Sequence, residues 1–192
     1  MKVSKRMIIT RLSIMVFICF LAILIVTWVF PYAGLSVSKS YTVKLDPIVA
    51  KQYDIMLSEY NQIMENSQDH SKTYTIGIAA LDIFQEILVV DKVEWKVTEE
   101  TLEELLFHVS AYREMLLSHA FSESYKVEAK MYLEVAVNAA IELESHITAI
   151  QKREGLMRND LRVLLRNLYG DIGGSFNHFI TFYETVHNSA FN

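Results

Sequence analysis

Apolar positions in this chain fall into one unbroken run followed by several interrupted ones. The unbroken run, Leu12 to Phe30, is nineteen residues long, with no charge and only Ser13 and Thr27 as ordinary polar groups. At about 1.5 Å per residue it predicts roughly 28 Å of helix, close to the ~30 Å hydrocarbon core of a bilayer. Thirteen of the nineteen are Leu, Ile, Phe or Val. Each contributes about -0.3 to -0.6 kcal/mol at the bilayer centre, so insertion is favoured by at most roughly 4 to 8 kcal/mol.

After a short polar tether, residues 33–45, apolar residues recur every three or four positions, the period of a helix buried along one stripe. Asp46-Pro47 reads as an N-cap and first helical residue, followed by the stripe Val49, Tyr53, Met56, Tyr60 and Ile63 and closed by the polar run Asn66 to Ser71. Ile76, Ala80, Ile83, Phe84, Ile87 and Leu88 form a second stripe. Leu102, Leu105, Leu106, Val109, Tyr112 and Leu116 form a third, with Thr98 as its cap. A fourth helix is predicted from near Ser122 to Arg153, with Leu133, Ala136, Val137, Ala140, Leu143, Ile147 and Ile150 on one face. Met131 and Val135 fall on its other side, which predicts either the most buried helix or an oligomer contact. Met157, Leu161, Leu164 and Leu168 predict a fifth helix, broken by Gly170, Gly173 and Gly174. Ile172, Phe176, Phe179, Tyr183 and Val186 predict a sixth.

Narrow stripes with short connections predict an all-α protein, an N-terminal transmembrane helix followed by an antiparallel helical bundle in residues 46–192. Two stretches alternate with period two instead, Tyr41 to Leu45 and Val93 to Val97. They predict short strands, as a minor β hairpin or an edge pairing.

Composition agrees with a folded domain, at 52% hydrophobic and 21% charged residues. The net charge of -5 is divided unevenly: Lys2, Lys5, Arg6 and Arg11 precede the apolar run without an acid. Beyond residue 35, 14 basic residues face 23 acidic ones, leaving -9. The acidic outer part excludes nucleic acid as a partner. The basic flank places residues 1–11 in the cytoplasm, 12–32 in lipid as a signal-anchor of the cell membrane, and the rest outside, with Trp28, Phe30 and Tyr32 at the far interface. Cleavage after the small residues at Ser36 and Ser38 is the competing reading, but the run exceeds the 7–15 apolar residues usual for a signal peptide. Cys19, the single cysteine, lies within the run, so no disulfide joins the outer part; no Asn-x-Ser/Thr acceptor occurs either. Both features fit a bacterial surface.

Chemistry is sparse. Glu104 with His108 and Glu142 with His146 are spaced by four, whereas di-iron bundles use Glu-x-x-His, and a helical wheel turns both glutamates away from the core. No zinc-protease, phosphate-loop or nucleophile-elbow motif occurs. No cofactor, metal or catalytic residue is assigned, and Gly170 to Gly174 reads as a turn rather than an anion nest. Arg158, Arg162 and Arg166 recur every fourth residue, and like charges at that spacing repel. They call for an acidic counterpart, either a helix of the same domain or an acidic partner or lipid head group. Phe176, Phe179 and Phe182 read as core or as a partner contact. Five of six histidines lie past residue 100, and any that are buried would make stability depend on pH. The sequence therefore predicts a non-enzymatic, single-pass accessory or regulatory subunit that binds another protein or a second copy of itself. The alternative is a small-molecule-binding or secreted helical module.

Overall fold

The computed structural model describes residues 5–37, 39–66, 71–88, 94–153 and 155–190. Within them the chain forms α1 (Lys5–Val29), β1 (Ser40–Lys44), α2 (Pro47–Asn66), α3 (Lys72–Ile87), β2 (Glu94–Thr98), α4 (Glu99–Ser122), α5 (Val127–Lys152) and α6 (Arg158–Ala190). Lys2, Val93 and the middle of the 66–71 run lie outside the described residues. In α1 the stretch Ile9–Val29 is long and apolar enough to cross a membrane, and none of it is buried against the rest of the molecule.

The helix starts follow local chemistry. Asp46 Oδ1 accepts the Ile48 N–H at 2.9 Å, Ser71 Oγ that of Tyr74 at 3.2 Å, and Thr98 Oγ1 that of Thr101 at 3.0 Å. Each satisfies an amide that the first turn leaves without an intrahelical partner. Thr98 also ends β2, so α4 begins without slack. The two alternating segments pair with each other, antiparallel, with Tyr41 opposite Val97 and Val43 opposite Trp95. Their connection is the α2–α3 pair rather than a tight turn. The buried sides of both strands join the core through Tyr41, Val43, Trp95 and Val97. The 33–45 connection thus contains the five-residue strand β1, and Leu45 is buried as well.

α6 packs against α5, α3, α2 and β1, and its aromatic residues fill the centre. Phe176 stacks on Phe84 with centroids 4.6 Å apart and takes the edge of Tyr60 at 5.4 Å. Phe179 meets Tyr60 and Tyr112. Phe176, Phe179 and Phe182 are each fully buried, which corrects their assignment as a partner contact. Spaced by three, they share one broad side of α6, where their rings meet Tyr60, Phe84, Tyr112 and His119 of the same domain.

The three glycines do not break this helix: α6 runs unbroken from Arg158 to Ala190. Glycine costs about 1 kcal/mol in a helix interior, but Ile172, Phe176, Phe179 and Tyr183 bury far more than that offsets. Gly173 also has a positive role, because a Cβ there would lie 2.0 Å from Tyr53 Cζ. The bare backbone receives the Tyr53 ring, whose hydroxyl donates to the Gly170 carbonyl at 3.2 Å.

Smaller departures follow from packing. α4 continues through Ser122, its C-cap Glu123 N–H bonding the His119 carbonyl, so α5 starts at Val127 rather than near Ser122. In α2 the deepest line is Ala50, Leu57, Tyr60 and Met64, with Val49, Tyr53, Met56 and Ile63 packed along its flank. α2 touches both α3 and α6, which widens the buried arc beyond one stripe. For the same reason Leu165 lies deeper than Leu164. Val127, Met131 and Val135, at 80%, 56% and 42% exposure, form an outward apolar stripe, so α5 is not buried all round.

Candidate functional site

The arginine row lies where the domain meets α1. Arg158 Nη1 donates to the Trp28 carbonyl at 3.4 Å, one of the last carbonyls of α1, which have no amide further along the helix to bond them. Its guanidinium lies 5.8 Å from the Trp28 ring centroid and 5.2 Å from that of Tyr41. A cation at a helix C-terminus and on aromatic faces is favourable on both counts. Further bonds fix the same junction: Tyr32 donates to the Val97 carbonyl at 2.9 Å, and the Val37 N–H to Thr27 Oγ1 at 3.1 Å.

Arg166 Nε donates to the Lys44 carbonyl at 3.3 Å, and Arg162 bonds Asn159 in its own helix. β1 rises about 10 Å from Tyr41 to Lys44 while α6 rises about 12 Å from Arg158 to Arg166. The two therefore run side by side away from α1. The acidic helix expected to compensate the row is not there: among the described residues no carboxylate pairs with any of the three. Backbone carbonyls and aromatic rings replace it, and the charge stays facing outward.

The glutamate–histidine pairs do not build a metal centre. Glu104 and Glu142 are exposed, His108 Nε2 faces Glu86 at 3.6 Å, and His146 Nδ1 faces Asp171 Oδ2 at 2.7 Å. Among the described residues no three His, Cys, Asp or Glu side chains are grouped to hold a metal ion.

One polar cluster escaped the sequence reading. His119, only 4% exposed, has Nε2 at 3.4 Å from Thr73 Oγ1 and against the Tyr125 hydroxyl, which lies 3.0 Å from Thr73. It ties the start of α3, the end of α4 and the α4–α5 connection together, under the edge of Phe182. Lys72 and Glu123 pair beside it at 2.8 Å. Its position was legible, because His119 continues the stripe Val109, Tyr112, Leu116 by another three residues. With the imidazole enclosed, the cluster is a latch rather than a site open to substrate.

Burial lowers the His119 pKa below its ordinary value; Glu123 opposes the shift and Lys72 adds to it. The unfolded chain therefore takes up a proton that the folded one refuses, starting near the ordinary histidine pKa of ~6.5. The stabilisation from neutral His119 is complete above that pH and is lost as pH falls below it. The urea midpoint is expected to drop between pH 7.5 and 5.5, with a smaller drop in His119→Gln. An equal drop in the two proteins would rule His119 out as the cause.

No family model matches the chain, nor does any curated protein or solved structure.

Proposed function

We propose that this is a single-pass protein of the cell membrane, with its N-terminus in the cytoplasm and its helical domain outside. There it serves as a non-enzymatic accessory or regulatory subunit that binds another protein or a second copy of itself. The apolar stretch of α1 and the basic residues before it support the anchoring and its direction. The observation that carries protein binding is the outward row Val127, Met131 and Val135. Its residues are spaced by four on one helix face, and among the described residues no other element covers them.

A groove of about 610 Å³ beside Tyr53, Arg166 and Tyr169 opens at the surface; its size is within the range of small-molecule clefts, and it is where the alternative reading, a small-molecule-binding module, would place its ligand. A photocrosslinking residue at Met131 in intact cells, compared with one at the exposed Asp54, tests the protein-binding reading. A discrete product from position 131 alone is expected, and a product of twice the chain mass would identify self-association. Absence of any product at 131 from membrane-bound protein would remove this face as the binding surface.

A further inference from the structure

We propose that Arg158 and Arg162 hold anionic lipid head groups of the leaflet from which α1 emerges. This rests on the reading that α1 spans the membrane. The bonds from Arg158 to Trp28 and from Val37 to Thr27 put the foot of α6 and the loop after α1 at the level where the apolar helix ends. Around that level Trp28, Leu35, Val37 and Met157 are all exposed, an apolar rim continuous with the span itself. Apolar side chains and Trp suit the boundary between acyl chains and head groups.

The charge above that rim is unneutralised. Nearby Lys39 is paired with Glu99 and Lys44 faces Glu94 at 3.9 Å, whereas Arg158 and Arg162 have no carboxylate among the described residues. Along the α6 axis Arg162 stands one helical turn, about 5–6 Å, beyond Arg158, which touches α1, and Arg166, bonded to the far end of β1, about 12 Å beyond it. Screening at physiological salt acts over roughly 8 Å. The first two arginines are therefore within reach of lipid phosphate and the third is not. A guanidinium matches a phosphate through paired N–H donors. A lipid bilayer is the occupant that meets the apolar rim and the cations together, and the acidity of the remaining domain favours docking at this end only.

The test uses the full chain in vesicles of phosphatidylcholine, with phosphatidylglycerol only in the leaflet facing the domain. Quenching of Trp28 by brominated phosphatidylglycerol is compared with quenching by brominated phosphatidylcholine. The other tryptophan, Trp95, lies buried in the domain. One arginine near the surface shifts the preference about fivefold. The wild-type chain is expected to favour phosphatidylglycerol by at least that factor. Arg162→Gln, which leaves the packing of Arg158 on α1 untouched, should reduce the preference about fivefold, and Arg166→Gln should leave it unchanged. Equal quenching by the two lipids, a preference that Arg162→Gln retains, or an equal loss from Arg166→Gln would each overturn the proposal. A chain that washes out of the vesicles at alkaline pH would overturn the spanning reading beneath it, whereas one that stays without preference overturns this inference alone.

Discussion

Phe176→Ala is expected to destabilise the domain by about 3–5 kcal/mol, the range for deleting a buried aromatic ring. The ring has no exposed surface, stacks on Phe84 and receives the Tyr60 edge. Its removal leaves a void between α2, α3 and α6 that none of them can close without losing contacts elsewhere. Domains of this size are stable by about 5–15 kcal/mol, so the variant stands near the folding threshold. Urea denaturation of the full chain in detergent, followed by near-ultraviolet circular dichroism, measures the loss. A cost below 1 kcal/mol together with loss of a crosslinked partner would restore Phe176 to a binding surface and refute its place in the core.

A pair of arginines in the middle of α1, Ile18→Arg with Leu21→Arg, should prevent stable insertion. Each arginine at the bilayer centre costs about 2.5–3.5 kcal/mol, and each replaced Ile or Leu forfeits a further 0.3–0.6 kcal/mol. The total of roughly 6–8 kcal/mol matches the whole of the 4–8 kcal/mol favouring the wild-type segment. After an alkaline wash, the variant is expected in the supernatant and the wild-type chain in the membrane pellet. A variant that remains in the pellet would mean that something other than α1 holds the protein there.

Most of the architecture is legible in the sequence because the helices of the domain bury a stripe and three of them, α2, α3 and α4, start at a capping side chain. Leu133 to Ile150 on α5 and Thr98 ahead of α4 are local patterns with local causes. What escaped depends on distant chain. Gly173 reads as a breaker until Tyr53, on another helix, is known to lie against it. Ser122 reads as a start because nothing nearby shows that α4 runs on to it. The pairing of β1 with β2 is implied by two matching alternations, but their partnership across α2 and α3 is set by tertiary packing. Of the residues singled out for function, the arginines form an exposed row along α6 from the end of α1 to the end of β1, while the phenylalanines are absorbed into the core. The His119 latch was missed because its members come from three separate segments, although the stripe of α4 passes through it.

The pairing of early with late chain has a consequence for biogenesis. β1 is among the first parts of the domain to be made, yet its neighbour on α6 follows far behind: the Arg166 contact with Lys44 spans 122 residues. At a synthesis rate of about 5–20 residues per second, some 6 to 24 s separate the two. β2 can pair with one edge of β1 once residues 94–98 are made, but the side of β1 that faces α6 stays uncovered throughout that interval. A chain halted before α6 is therefore expected to be a substrate for proteolysis rather than a folded fragment, because the helix that fills the centre of the domain is the last to be made.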